Sequence, residues 1–291
     1  MMTLQTLTEA QQGLLPTDDE VRFYQQHGYY HSRSVFTDDE IEAALEGSER
    51  FYAGEIDAPP SGFPASWYPK GEYGPGLRKH DYASLMNRGL AGLVRHPLVG
   101  AIAARLAETP EIRLWHDQLL YKPPDRADVP ANVGWHTDRG YWKTCSSANM
   151  LTAWIPFHDC DETMGTITMI DGSLHWPDNT AGLDFFSSDL EGLESRFRTD
   201  GQPVVKVPMN LKRGQISFHH CLTIHGSGPN RSPLPRRSIA VHLQDASNHW
   251  QEYRFADGRL AHHSNDDLCR RINGVPDYTD PDICPALYRE A

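Results

Sequence analysis

The sequence lacks a basic excess, paired cysteines and a long apolar run, and each lack removes a class of protein. Among 291 residues, Asp and Glu number 39 against 27 Lys and Arg, a formal charge of −12. Nucleic acid or an anionic membrane surface has to be met by a basic field, so neither is an expected partner. The five cysteines, Cys145, Cys160, Cys221, Cys269 and Cys284, are widely spaced and contain no C-x-x-C pair. That argues against a disulfide framework and against a zinc ribbon. No stretch reads as the roughly 18 consecutive apolar residues of a membrane span. The N-terminal MMTLQTLTEAQQGLLPTDDE has neither a basic nor an apolar signal region, and Arg289-Glu290-Ala291 is no peroxisomal or lipidation signal. A cytoplasmic location is the expectation.

What is present fits a globular chain with a sizeable core: 39% hydrophobic residues, 10% aromatic and 23% charged. The 23 Gly and 21 Pro suit a loop-rich β fold, and the 15 histidines are material for metal or proton chemistry. Thr-Asp-Asp-Glu occurs at Thr17 to Glu20 and again at Thr37 to Glu40, each a capping box that predicts a helix start. Leu90 to Ala107 reads as helical, divided at Pro97. From Ile112 the period changes. Short runs rich in β-branched and aromatic residues, at 112–121, 149–157, 165–170, 203–207, 215–220 and 236–243, alternate with Gly, Pro, Asn and Asp. The pattern predicts one mainly β domain over 1–291, with helical support over about 17–107 and a jelly-roll core over about 112–245.

His136-Thr137-Asp138 is a His-x-Asp, which on a strand puts imidazole and carboxylate on one face. Alone it means little, because composition gives about one such pair by chance. A second cluster, His225-Gly-Ser227-Gly-Pro-Asn230, is followed by Arg236 and Ser238. Alternation puts Arg236, Ser238, Ala240 and His242 on one face of a strand and Arg237, Ile239, Val241 and Leu243 on the other. An arginine and a hydroxyl facing a barrel interior call for a carboxylate guest, since a buried guanidinium needs a partner. Two His and one Asp on one side of an ion, with the opposite positions open, form the facial triad of non-haem Fe(II) oxygenases.

At these residues the chain resembles the phytanoyl-CoA dioxygenase family of Fe(II)/2-oxoglutarate-dependent oxygenases. The likeness rests on His136-x-Asp138, a His 87 residues after the Asp, Gly-Ser-Gly-Pro-Asn, and an Arg 11 positions beyond that His. It extends to QLLYKPP at Gln118 to Pro124, Trp154-Ile-Pro, and MGTITMIDGS from Met164. The resemblance implies His136, Asp138 and His225 as iron ligands and Arg236 as partner of the distal carboxylate of 2-oxoglutarate. It places Ser227, Trp154 and Gln118 in the co-substrate pocket, with Ser238 on the same strand face as Arg236. It also implies a double-stranded β-helix, the cupin-like jelly roll. Halogenating relatives carry a small residue in place of the triad carboxylate. Asp138 therefore favours oxygen insertion.

The implied chemistry is oxidation of an unactivated C–H bond of a small organic molecule by Fe(II), 2-oxoglutarate and O2, releasing succinate and CO2. Tailoring of a secondary metabolite is the expected setting. An acyl-CoA or lipid substrate is the alternative, although no basic cluster built for coenzyme A appears beyond Lys70, Arg78 and Lys79. Segments 58–84, 123–133 and 174–200 are long and irregular, the character of lids and binding loops. From them and the triad's flank, Trp67, Tyr68, Tyr141, Trp142 and Phe185 are candidate substrate contacts. Only one of His219 and His220 can share the triad His face. His242 lies about 20 Å along the strand from Arg236 and reads as a group just behind the ligands or at the rim, and His158, His249, His262 and His263 read as solvated loop residues. A mononuclear zinc hydrolase and a non-catalytic jelly-roll binding module stay open as other classes. The first has no need of Arg236, and the second has no need of the triad. The oligomeric state is left open between monomer and dimer.

Overall fold

The structure is a computed structural model that describes residues 6–60, 62–126, 128–129, 131–177, 181–197, 201 and 203–290. A single-turn helix α1 (Glu9–Gln12) precedes α2 (Asp18–His27), β1 (Tyr29–His31) and α3 (Asp38–Tyr52). Both Thr-Asp-Asp-Glu segments form complete capping boxes: Thr17 and Thr37 accept from the Glu20 and Glu40 amides, and each Glu accepts back from its Thr amide. After β2 (Arg78–Asp81) and the short α4 (Ala83–Met86) come α5 (Arg88–Val94) and α6 (Pro97–Ala107), divided at Pro97, which opens α6 where its missing N–H costs nothing. By length and composition Arg88–Ala107 is apolar enough to cross a membrane, a feature not evident from the sequence reading, but 67% of its window is buried inside the molecule.

The strands β3 (Glu111–Lys122), β4 (Val133–His136), β5 (Leu151–Pro156) and β6 (Thr168–Ile170) follow, then α7 (Leu190–Glu194), β7 (Lys206–Pro208), β8 (Ser217–His220), β9 (His225–Ser227) and β10 (Arg236–Asp245). The chain closes with α8 (Asn265–Leu268), a small hairpin β11 (Arg271–Ile272) and β12 (Val275–Pro276), and β13 (Ala286–Arg289). One sheet runs β1-β8-β5-β10-β3-β13 with β2 also on β3; the other runs β4-β9-β6-β7. All the pairings are antiparallel. This is the mainly β jelly roll that the turn-punctuated strands foretold. Strands β2, β4, β9 and β13 had no distinct signal in the sequence, being short or loop-like in composition.

Register decides which residues meet. On β10, Ile239, Val241 and Leu243 join Leu119, Leu151, Ala153, Ile155 and Phe218 in one buried core with Leu90, Leu98, Ile102 and Ile41 of the helices. That is the helix-covered outer face of the large sheet. Because side chains alternate, the intervening residues turn the other way. Arg236 pairs with Lys122, Ala240 with Gln118 and Trp154, and His242 with His116 and Thr152. His219 and Ser217 continue the row opposite Thr152 and Trp154. A polar strip thus runs across the inner face of the large sheet and looks towards the small one.

Candidate metal and co-substrate site

The small sheet supplies the histidines. His136 ends β4, His225 begins β9, and the antiparallel register pairs the two directly. Asp138 is not on the strand with His136, as the alternation argument expected; it begins a 3-10 turn just past it. Thr137 remains extended, at φ −118° and ψ 142°, which still turns the carboxylate inward. The metal-binding atoms of His136, Asp138 and His225 all lie within 4.8 Å of one another, and all three residues are buried. Each Nε2 is 3.8 Å from Asp138 Oδ1.

The rings are oriented from behind. His136 Nδ1 lies 2.8 Å from the Gly134 carbonyl and His225 Nδ1 3.0 Å from that of Thr223. Donation there leaves both Nε2 lone pairs facing inward, the arrangement a metal ligand needs. Burial lowers the pKa of both histidines, helped at His225 by His136, so the neutral form is favoured. Burial alone would raise Asp138, but the imidazoles of His225, His242 and His219 outweigh it and hold the carboxyl well below its usual range. Its Oδ2 accepts from Thr152 Oγ1 at 2.6 Å, and Thr152 Oγ1 also meets His242 Nδ1 at 2.7 Å. The donor set suits a divalent ion with open positions.

Beyond the triad the inner strip forms a narrow recess of about 40 Å³ between the sheets, lined by Gln118, Trp154, Ser227 and Arg236. Arg236 is 1% exposed, and among the described residues no carboxylate meets it. It donates to the Gly165 carbonyl and sits 5.3 Å from the Trp154 ring centroid, while its Nε is unpartnered. The Trp154 indole N–H and Ser238 Oγ are also buried without partners. Buried polar atoms are normally bonded, so this end is built for an oxygen-rich guest. Burial brings Arg236 down to about 10, still charged at neutral pH. Beside it lies Lys122, whose Nζ donates to Ser227 Oγ and to the Ser227 and Gly228 carbonyls at 3.3 and 2.6 Å. Its role could not be seen in QLLYKPP; only the Arg236 to Lys122 register exposes it.

On the other side of the triad a wider cavity of about 260 Å³ opens. Tyr141, Trp142 and Phe185 line it, as does Phe186. The Phe185 ring centroid is 4.9 Å from that of His136, and its amide donates to Tyr141 Oη at 2.9 Å. Trp67 stacks on Tyr82 at 5.9 Å and borders an adjoining pocket that shares Lys79, Asp81 and Ser264 with this cavity, and Tyr68 packs against the core clusters; neither is among the residues lining the cavity itself. Aromatic content marked the segment but not the direction of its rings. Parts of segments 58–84, 123–133 and 174–200 fall outside the described residues.

The remaining histidines divide: one of His219 and His220 reaches the triad and His242 stands just outside it, as expected, whereas His263 and His158 do not lie in solvent. His219 Nε2 comes within 3.3 Å of Asp138, whereas His220 Nδ1 accepts from the Leu222 amide. His242 reaches the Asp138 neighbourhood because the ion site lies midway along β10, with Arg236 at the far end. His263, expected in solvent, is packed 4.6 Å from Trp115 and 5.0 Å from His116, and burial drives it down to about 3. His158 is also bonded, accepting the Arg237 amide at 2.9 Å.

A two-sheet jelly roll with a His-x-Asp…His triad and a buried arginine behind it is the architecture of the iron and 2-oxoglutarate oxygenases. The sequence model of phytanoyl-CoA dioxygenase matches residues 24–238, and the chain belongs to that family. Peroxisomal phytanoyl-CoA dioxygenase of Bos taurus is 24% identical over 60% of this chain, which covers 52% of the bovine protein, about half its length. A probable alpha-ketoglutarate-dependent hypophosphite dioxygenase of Stutzerimonas stutzeri is 26% identical over 77% of each chain. In fold the chain resembles the epimerase SnoN, solved with Fe3+, alpha-ketoglutarate and nogalamycin RO, at TM-score 0.69 and 24% identity over 93% of this chain and 98% of that one.

Proposed function

We propose that the protein is a non-haem Fe(II)- and 2-oxoglutarate-dependent dioxygenase that hydroxylates an unactivated C–H bond of a small organic molecule, in the tailoring of a secondary metabolite. The observation that carries the reading is the His136, Asp138 and His225 cluster, with both imidazoles turned inward by backbone carbonyls. These three would hold the iron. Arg236, with Ser227, Ser238, Trp154 and Gln118 around it, would hold the co-substrate's far carboxylate and so fix its orientation. Iron and 2-oxoglutarate together supply the oxidising power, with succinate and CO2 as by-products. The protein's part is positioning and exclusion of water. Thr152 and His242 steady Asp138, and Phe185 and Tyr141 close the side of the cavity next to His136. The whole chain acts as one catalytic unit in this reading, because Lys79 and Asp81 from before the barrel and His262 to Ser264 from after it line the same cavity.

The acyl-CoA alternative finds less support. Arg78 is committed to a stack over Tyr121, Tyr73 and Tyr52 at 4.5, 5.3 and 5.8 Å, and Lys79 is paired with Asp81 at 2.8 Å. With both engaged, exposed Lys70 is what is left of the three basic candidates to meet the phosphates of coenzyme A. The deciding experiment loads the protein anaerobically with Fe(II) and 2-oxoglutarate and looks for the metal-to-ligand charge-transfer band, then admits oxygen and measures succinate. Wild type should show both, and His136→Ala and Asp138→Ala neither. Absence of the band in the wild type would sink the oxygenase reading.

A further inference from the structure

Part of the lining of the larger cavity is a row of imidazoles with unused ring nitrogens. His116 and His242, paired across β3 and β10, have ring centroids 4.4 Å apart, and His263, from the segment after the barrel, lies 5.0 Å from His116. His116 is 4% exposed and neither of its ring nitrogens has a partner; His242 is also 4% exposed, and its Nε2 has none. Three buried, unpaired nitrogens on one wall would each cost free energy if left dry. His116, His242 and His263 all line a cavity of about 260 Å³, just under the usual range of roughly 300–1000 Å³ for ligand pockets.

The chemistry of that wall specifies its guest. A neutral imidazole offers one N–H donor and one acceptor nitrogen, and a hydroxyl, which both donates and accepts, satisfies either tautomer. Aromatic rings complete the lining, Tyr141 and Phe185 beside His136 and Trp142 meeting the His242 ring edge-on at 5.0 Å, apolar surface suited to one face of a ring. Lys79 at the border is paired with Asp81, so among the described lining residues no lysine or arginine is left to meet an anionic head. His242 and His263 lie beyond residue 238, where the family match ends, so part of this wall is contributed by sequence outside the shared pattern.

We propose that His116, His242 and His263 form a substrate-recognition wall for a neutral polyhydroxylated ring about the size of a hexopyranoside, its hydroxyl edge on the imidazoles and one apolar face on the aromatic side. The assignment of this guest as substrate rests on the oxygenase reading; its binding does not. The probe is a methyl hexopyranoside panel, with cyclohexylmethanol as the ring of similar size stripped of its ring hydroxyls and palmitoyl-CoA as the acyl-CoA control. Binding is measured by calorimetry on the metal-free protein and on the protein loaded with Fe(II) and 2-oxoglutarate, and by perturbation of the charge-transfer band in the latter. At least one pyranoside should bind tenfold or more tighter than cyclohexylmethanol. His116→Phe should abolish that preference and His116→Gln, which keeps a donor and an acceptor, should retain most of it, both with unchanged iron and 2-oxoglutarate binding. A missing charge-transfer band with His116-dependent pyranoside binding intact would remove the oxygenase reading and leave the site. Failure of every pyranoside to bind, equal or tighter binding of cyclohexylmethanol or palmitoyl-CoA, or an unchanged preference in His116→Phe would each overturn the proposal.

Discussion

Two side chains outside the His136, Asp138 and His225 cluster should control what binds there. Lys122 is fully buried with its three donors spent on Ser227 and Gly228, and burial together with Arg236 pushes its pKa well down. It is a peg that fixes the turn after β9 and keeps Ser227 beside Arg236. Lys122→Met, similar in volume but without donors, should raise the KM for 2-oxoglutarate about tenfold or more, the scale of losing one or two bonds to a charged group. Iron affinity should stay unchanged and kcat should move much less. Steady-state kinetics alongside Fe(II) titration separate these, and a proportional loss of all three would mean plain structural damage. Thr152 works on the other partner. Its hydroxyl joins Asp138 Oδ2 to His242 Nδ1. Thr152→Val should weaken iron binding by roughly ten- to a hundredfold, as outer-shell losses commonly do, and Thr152→Ser should restore it; equal affinity in Val and Ser variants would show that the bridge is idle.

At the scale of elements, β4 is held close to the Phe185 loop by backbone bonds. The Gly134 amide donates to the Phe185 carbonyl at 2.9 Å and the Asp184 amide to the Trp135 carbonyl at 3.1 Å. A Cβ on Gly134 would stand 2.0 Å from the Asp184 carbonyl oxygen, so only glycine allows this approach. Gly134→Ala should push the loop away and open the cavity. The cost in stability should be about 1–3 kcal/mol, and oxidation of 2-oxoglutarate should become less coupled to product, read as excess succinate over hydroxylated product. Thr37→Ala, which breaks the capping box of the longest helix, should cost about 1 kcal/mol in urea unfolding without touching turnover. The capping boxes, the division at Pro97 and the apolar alternation of β10 were legible in the sequence because each is a local rule with a local signature. The placement of Trp67, the burial of His263 and the meeting of Lys122 with Ser227 were not. Each depends on strand register or on a segment folding back over the barrel, and one chain read residue by residue contains neither. The triad stood between these cases: its residues could be named from spacing, but β4 and β9 are too short and glycine-rich to have announced themselves as strands.

At the scale of the whole molecule, burial holds a set of histidines, His220 and His263 among them, in the neutral form, and the acid stability should reflect that. His220 and His263 are both lowered by burial, to about 4 and about 3, and each uses Nδ1 to accept a backbone amide, from Leu222 and Asn265, which requires the unprotonated ring. In the unfolded chain they titrate near 6.5. Their folded pKa values are depressed, so the unfolded state binds more protons below about pH 6.5. The stability they contribute is complete above that value and is lost as pH falls towards 4, on the order of 1 kcal/mol per pH unit for each. Asp117 acts in the opposite sense: burial raises it to about 6 despite the bonds from Ser84, so its contribution is present below about pH 4 and is lost as pH rises through 6. Between pH 6 and 4 two histidines therefore work against one carboxyl, and the net loss on acidification should survive. Urea midpoints measured from pH 7 to 4.5 should fall, gently above pH 6.5, where the histidines have barely begun to titrate, and most steeply between about pH 6 and 5, where the two of them outweigh Asp117. His220→Gln, which keeps an acceptor for the Leu222 amide but cannot titrate, should flatten that fall; the same slope in variant and wild type would show that acid sensitivity arises elsewhere in the fold.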